Sequence, residues 1–576
     1  ASDLYPDGIY CPINPGVDSC VIMLTLGNHN LIAHNVSFDA RCLEWYLRKY
    51  ITGYVPMSKF PWKNDTQLMF KALANEGYPG QNWKLKTAQK TVLGWKETNE
   101  VELDAWLIAN GFTGAKGKPD KSKMSLAPNH ILGRYCGLDA QSTLALYNHF
   151  VTYYDQFPDM ERILENEMMI LAELEIEQFF HGLYIDVPLL KDRIDGVKRT
   201  MEQLLHSFYY SSDATPYIEM YNSRQVADIS DAEPPEFTKT GRPTVRYGKW
   251  KQKLALATDT MFFNANSKQQ LAWLFYECLF DTKAMTEKYN AWKQETTYHF
   301  EVLIDDEWIK VDGTATGKYK VDKKILPKLG DAGRILNRYN ELNKLLGYMN
   351  GMLESLRDGI HNVQLKLGGT LTFRCSGTGG VNIQQLPKAR DYLDCLVPRP
   401  GHCFIQMDVD ALEPVVLAEL SEDRAMMDLY GPNAKPNDIY LYVGASIPAL
   451  RNEVCQYGYD PLNPTSEAIA ITKKKAKRIR GICKVLHLSA GYGAGPPKIY
   501  DTLIQAGVEI TLAEVKTIHK AYWELFGGVT EYQNKLKREY AANGGWFLNG
   551  RGMPISVAAH LEKDILNRCI QSTGHY

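Results

Sequence analysis

The chain has 576 residues, room for about three or four domains at ~150 residues each, and it is 45% hydrophobic and 23% charged, an ordinary globular balance. Its formal net charge of −2 excludes a global basic field, so any grip on nucleic acid must be a local basic cleft offset by acidic faces elsewhere. Eleven cysteines without a C-x-x-C pair argue against a cysteine zinc site and fit a reduced, intracellular protein; no secretory signal opens the sequence, and no apolar run approaches the ~20 residues of a membrane span.

In chain order, VIMLTLG (22–28) and LIAHN (31–35) read as strands and RCLEWYLRKYI (41–51) as a helix, so residues 1 to about 155 form an α/β unit. Within it, Asn35 and Asp39 stand four apart, as do Tyr135 and Asp139 in RYCGLDAQSTLALY (134–147), and each pair shares a helical face. Two aspartates and a tyrosyl hydroxyl could hold a metal pair and orient a water for phosphodiester cleavage. Aspartates early in helices also serve as caps and dipole partners, so neither segment settles the matter alone.

Residues 160–206 read as mostly helical, broken at HGLYIDVP by Gly182 and Pro188. A polar, Pro-containing stretch from about 212 to 250 reads as an insertion or mobile loop. NANSKQQLAWLFYECLF (264–280) opens on a capping residue, Ser267, and continues with helical periodicity. Residues 287–325 read as hairpins and 328–358 as helix. From 361 onward strands and helices mix.

Two later segments carry chemistry. In HCFIQMDVDALEPVVLAEL (402–420), Cys403 to Met407 reads as a buried strand with Asp408 at its end, followed by a helix from near Glu413. A carboxylate at a strand tip suits a divalent metal in a cleft, although Asp408 could also merely cap the helix. Strand alternation sends Asp410 to the opposite face. In KKKAKRIRGICKVLHLSAGYG (473–493), read as one helix, Lys473, Lys477, Arg480, Lys484, Leu488 and Tyr492 share a stripe. Such a stripe could grip a polyphosphate and stack against a base. A solvated face or a localisation-type basic cluster is the alternative. It leaves unexplained why the stripe runs on into Leu488 and a Tyr492 flanked by glycines.

Taken in order, these segments resemble a family A DNA polymerase of the bacterial DNA polymerase I type, with its 3′→5′ proofreading domain, over nearly the whole chain. The second exonuclease motif, N-x-x-[FY]-D, is matched by Asn35–Asp39 and the third, Y-x-x-x-D, by Tyr135–Asp139. LYIDVPLL (183–190) and NANSKQQLAWLFYECL resemble segments leading into and along the thumb, and TFRCSGTGGVNIQQLP (372–387) resembles T-G-R-x-S…N-L-Q-N-I-P. DVDALE resembles polymerase motif A, D-Y-S-Q-I-E, with Asp408 and Glu413 in place. Arg480, Lys484, Tyr492 and Gly493 match motif B, R-x-x-x-K-x-x-x-F-G-x-x-Y-G. LNGRGMP (548–554) and LNRCIQST (566–573) resemble the palm segments after the fingers.

The resemblance implies an α/β multidomain chain: a ribonuclease-H-like exonuclease domain followed by a right-hand polymerase of thumb, palm and fingers. Its divisions would be an exonuclease domain at 1–155; linker helices and thumb at 156–360, with an insertion at about 210–260; palm at 361–435; fingers at 436–545; and a second, incomplete palm part at 546–576. It implies primer-template DNA and dNTPs as partners, no membrane, and two Mg²⁺ ions at the polymerase site. Asp408 would bridge both ions. Arg480 and Lys484 would neutralise the triphosphate, with Leu488 and Tyr492 also at the nucleotide. Glu413 would fill the space of a ribose 2′-hydroxyl. Arg374, Asn567 and Gln571, with Gln385 and Arg551 as weaker candidates, would contact the primer–template minor groove. Proofreading would use Asp39 and Asp139 as ligands of Mg²⁺ or Mn²⁺, with Tyr135 orienting the water. A phage-like replicative enzyme working in the cytoplasm of a bacterial host is expected.

Several positions depart from the pattern. Val409 and Asp410 replace the usual Tyr and Ser of motif A, and Leu488 and Ser489 replace the Phe and Gly of motif B, which leaves sugar selectivity open. The D-x-E exonuclease motif and the H-D-E palm motif are not found. The expectation is that the sequence omits residues at both ends and near Gly27. The rival readings are an exonuclease with an inert polymerase half, a non-catalytic DNA-binding protein, and a single-subunit RNA polymerase. Glu413 and the exonuclease motifs argue against the last.

Overall fold

The structure is a computed structural model that describes residues 25–51, 53–74, 82–95, 100–237, 244–257, 261–290, 295–409, 411–432, 434–490, 494–506 and 508–574. The chain divides into two compact units, Ala1–His181 with Val363–Gly379 and Phe404–Tyr576, and Gly182–Asn362 with Gly380–Cys403. No helix among the described residues is long and apolar enough to cross a membrane.

In the first unit, strands Leu31–Ala33 and Trp62–Asp65 pair in parallel. Each leads into a helix, Val36–Tyr50 and Thr66–Ala74, and the long helix Asn129–Val151 packs on the first strand and on the second helix. Their apolar faces meet in a core that includes Val36, Met69, Phe70, Leu146 and Phe150. The expected first strand at 22–28 is corrected where it is described: Thr25–Gly27 are helical, closing into a turn through Asn28 N–H to Thr25 C=O. The expected helix at 41–51 begins earlier, at Val36. Its capping acceptor comes from Asp65, 30 residues away, and local sequence does not show it.

The C-terminal part of this unit is mainly helical around one core, with Leu441, Val443, Ile479, Ile482, Leu486 and Ile518 at its centre. Strands Trp546–Leu548 and Pro554–Ser556 form a hairpin there, followed by the helix Ile565–Thr573. The expected buried strand Cys403–Met407 is corrected. No strand among the described residues pairs with it, so it forms no ladder, and Ile405 and Met407 are 80% and 89% exposed. The single basic helix is corrected as well: Ser466–Lys475 and Lys477–Ala490 are separate helices, with Ala476 between them at φ −93, ψ 36. Nothing in the structure explains why alanine, a strong helix former, stands at that break.

The second unit opens at Gly182, where a φ of +64 and the close approach of Ile360 and His361 leave no space for a Cβ. Strand Leu183–Ile185 then enters an antiparallel sheet with Leu396–Val397, Ile360–His361 and Leu356–Arg357. Asp186 caps the helix Val187–Tyr209, with Pro188 in its first turn, and this helix packs along Gly330–Ser355. The stretch expected as an insertion or mobile loop at 212–250 contains two helices, Thr215–Asp231 and Val245–Ala257. The first buries Ile218 and Ile229, and the Trp250 indole donates to the Ile229 carbonyl at 2.7 Å, tying the two together. Polar composition hid that narrow apolar face. The hairpins expected at 287–325 are present as a meander of Thr286–Asn290, Glu295–Ile304 and Glu307–Asp312. Asp305 and Asp306 turn its second corner with φ of 50 and 63, the two positive φ values of a two-residue hairpin turn.

Candidate active sites

The first site gathers around the parallel strand pair. Asp65, at the end of its strand, accepts from the backbone N–H of Asn35 at 2.8 Å, Val36 at 3.0 Å and Gln67 at 2.8 Å. It thereby anchors the starts of two helices, and Asn35 takes the left-handed conformation (φ 79) that the corner demands. Asp39, one turn into the first helix, is pushed up to about 7, first by burial and then by the charges of Asp65 and Asp139. Asp139 lies on the long helix and is paired with the Lys86 ammonium. Lys86 also stands over the ring of Tyr135, 4.8 Å from its centroid. The Tyr135 hydroxyl is held neutral by burial first and by the Asp139 charge second. His34 is lowered chiefly by burial, and its ring nitrogens bond to the Thr66 hydroxyl and the Trp83 carbonyl, each at 2.9 Å.

The structure therefore brings Asp39, Tyr135 and Asp139 into one electrostatic neighbourhood and adds Asp65 and Lys86, which sequence reasoning missed. Asp65 closes a strand and precedes a helix, so it reads locally as an ordinary cap. Among the described residues no set of three His, Cys, Asp or Glu side chains is placed to hold a metal. Asp39 and Asp139 carry the donor type that a hard divalent cation takes, with Lys86 paired to Asp139. Both supply oxygen, and Asp39 lacks a compensating positive charge strong enough to keep its pKa low.

The second site lies in the C-terminal part of the same unit. Arg374 donates from Nη2 to Glu413 Oε1 at 2.6 Å, so a candidate minor-groove residue and the candidate 2′-hydroxyl filter hold each other. Phe373, fully buried with φ 64, fixes the corner from which Arg374 projects. Asp408 sits on the exposed segment before the helix Leu412–Ser421. No ion pair or hydrogen bond joins Asp408 to Arg480 or Lys484 among the described residues. Arg480 is instead taken by Asp438, through Nε at 3.2 Å and Nη2 at 3.0 Å, and Lys473 reaches the same oxygen at 3.1 Å. Burial would raise the Asp438 carboxyl, but the bonds from Arg480, the Leu441 N–H and Lys473 bring it below its ordinary value. The guanidinium of Arg480 also lies 5.0 Å from the centre of the Tyr440 ring. Sequence reasoning passed over Asp438 and Tyr440, because an aspartate before an apolar run looks like a cap and nothing more.

Lys484 and Leu488 are exposed on the second basic helix, while Tyr492 and Asp410 lie outside the described residues. Between them His487 is pushed down to about 4 by burial and hydrogen-bonds the Tyr522 hydroxyl at 3.0 Å, a neutral packing role. Asn567 and Gln571 share the half-buried face of the helix Ile565–Thr573, opposite the buried Ile565 and Cys569. Arg551 pairs with Glu167. The turn that presents it is tied by Asn549, whose Oδ1 accepts from Arg551 N–H at 2.9 Å and Met553 N–H at 3.0 Å, and whose Nδ2 donates to Ser572 at 3.1 Å. Gln385 is exposed on the second unit, in a short turn capped by Asn382.

The class these elements define is a nucleotidyl-transfer enzyme family: the sequence matches the family model for DNA polymerase family A over residues 244–574. The chain belongs to DNA polymerase family A. It is 22% identical over 540 residues to the DNA polymerase of Escherichia phage T5, covering 90% of this chain and 53% of that protein. It is 25% identical over 312 residues to the DNA polymerase of Mycobacterium phage L5, covering 52% of this chain and 45% of that one. The chain thus spans about half the length of these relatives. Among solved structures it shares its fold with the POL domain of Pol1 from M. smegmatis in complex with DNA primer-template and dNTP. The TM-score is 0.61 at 15% identity, covering 97% of this chain and 76% of that one.

Proposed function

We propose that this chain is a template-directed DNA polymerase that extends a primer 3′ end with dNTPs, and that its N-terminal region is a 3′→5′ proofreading exonuclease. Family membership over 244–574 carries the first part. The solved neighbour's complex with primer-template and dNTP and the phage relatives support a replicative role in a bacterial cytoplasm. The primer 3′-oxygen attacks the α-phosphorus in line. One P–O bond forms, the bond to pyrophosphate breaks, and the hydroxyl proton leaves with solvent. Asp408 would be among the residues that hold divalent ions, which when bound would supply charge neutralisation and a lowered pKa for the attacking hydroxyl. Arg480, Lys473 and Lys484 bind the triphosphate as cations and stabilise the charge gathering on the leaving group. Glu413, braced by Arg374, crowds the position of a ribose 2′-oxygen. Asn567 and Gln571 hydrogen-bond minor-groove acceptors, which lie at similar places for every base pair.

For the exonuclease, the gathering of Asp39, Asp139 and Tyr135 around Lys86 beside the parallel strand pair supports the reading. Asp39 and Asp139 would hold the metal, and the neutral Tyr135 hydroxyl would position the water. Frayed ends reach such a site as single strands at low unpairing cost. Asp408→Ala tests the polymerase: primer extension should vanish while duplex binding and single-strand degradation persist. Undiminished extension would remove Asp408 from the chemistry.

A further inference from the structure

We infer that Asp438 is a positioning residue for the incoming triphosphate, which it serves by fixing Arg480 and Lys473 as one cationic unit. This rests on the polymerase reading above. The two oxygens of Asp438 divide their work. Oδ1 accepts the Tyr440 and Leu441 N–H groups at 3.1 and 3.0 Å and so caps the helix Ile439–Ser446. Oδ2 takes Arg480 and Lys473 together. The cap needs only the first oxygen, and a neutral side chain would supply it equally well. The second oxygen draws two cations from helices on either side of the Ala476 break.

The charge count gives the arrangement its direction. One buried carboxylate, with 5% of its side chain exposed, faces two cations that are 44% and 32% exposed. The cluster keeps a surplus positive charge that reaches solvent, the complement of a polyanion rather than a closed ion pair. Arg480 is held at its Nε–Nη2 edge by Oδ2 and against its plane by Tyr440, so its fork is fixed before any ligand arrives. An arginine fixed in this way loses less freedom on meeting phosphate. The ligand class is a nucleoside triphosphate, and the same cations would meet its phosphates whichever base it carries.

The test uses the full chain with Asp438→Asn and Asp438→Ser, both good caps that remove the charge, each alone and combined with Arg480→Ala. Equilibrium binding of dATP with Mg²⁺ is measured by calorimetry, beside primer extension, duplex binding and melting temperature. In the single variants dATP affinity and the KM for dNTP should worsen roughly tenfold or more, the cost of losing a charge-assisted contact, with kcat moving less and duplex affinity unchanged. On the Arg480→Ala background either Asp438 change should add little. A wild-type-like dATP affinity in folded Asp438→Asn and Asp438→Ser, or an undiminished further loss in the double variants, overturns the inference. Should Asp438→Asn melt early, Asp438→Ser and Lys473→Met carry the same comparison; Lys473→Met should weaken dATP by a smaller factor, and no weakening in either overturns it. A wild-type chain that binds dATP through Asp438 but never extends a primer refutes the polymerase reading and leaves the inference standing.

Discussion

The two charged clusters of the first unit are built on opposite imbalances. Around Asp39, three carboxylates share a buried neighbourhood, and the Lys86 ammonium pairs with Asp139. Around Asp438, one buried carboxylate is shared by Arg480 and Lys473. Burial acts on Asp39 and Asp438 alike, yet Asp39 is pushed up to about 7 and Asp438 is brought down. The difference lies in the neighbours: carboxylates beside Asp39, and two cations with the Leu441 N–H beside Asp438. A region left short of positive charge is suited to a cation, and one left with a surplus is suited to an anion, in keeping with the proposed roles of the two clusters.

The strongest way to break that contrast is Asp139→Ala. Single-strand degradation should drop to background while primer extension continues, measured on labelled oligonucleotides; unchanged degradation would take the acidic cluster out of catalysis. On the cationic side, Glu413→Ala should raise ribonucleotide incorporation relative to deoxyribonucleotide by roughly tenfold or more, because a steric filter is lost and Arg374 is released. An unaltered ratio in competition assays removes the filter.

Stability against pH sharpens the contrast further. The folded state keeps a proton on Asp39 up to about 7, while the unfolded chain releases it near 3.8. This contribution is therefore fully present below 3.8 and is lost as pH rises through 7. Asp39→Asn in chelator should stabilise the chain above pH 7 by something on the order of 1–3 kcal/mol, with the gain vanishing below pH 4, as read from urea midpoints. His487 is the counter-case, pushed down from 6.5 to about 4. Its contribution is present above 6.5 and is lost as pH falls through 4, so His487→Gln should flatten the acid limb of the stability curve between those values. Parallel curves for variant and wild type would show that His487 is not buried neutral.

How much of this was legible in the sequence depended on how far apart the partners lie. Gly330–Ser355 and the 286–312 meander announce themselves, because period and turn chemistry are local. The start of the Val36 helix does not, because its acceptor belongs to Asp65 on the next strand. The Thr215–Asp231 helix was hidden by a polar composition that leaves only Ile218 and Ile229 buried. At the cationic site the stripe of cations was readable, but the carboxylate that organises it lies 42 residues before Arg480 and looks like a routine cap. The Cys403–Met407 segment has the apolar character of a buried strand, but that character cannot provide a ladder partner.

That same segment has a practical consequence. Phe404, Ile405, Met407 and Val409 present apolar surface with no neighbouring strand among the described residues. Such a run of exposed apolar side chains favours contact with another copy of itself. At high concentration the chains should associate through it, masking Asp408, so specific activity should fall on concentration and recover on dilution. A lysine at Ile405 should keep the protein monodisperse in light scattering.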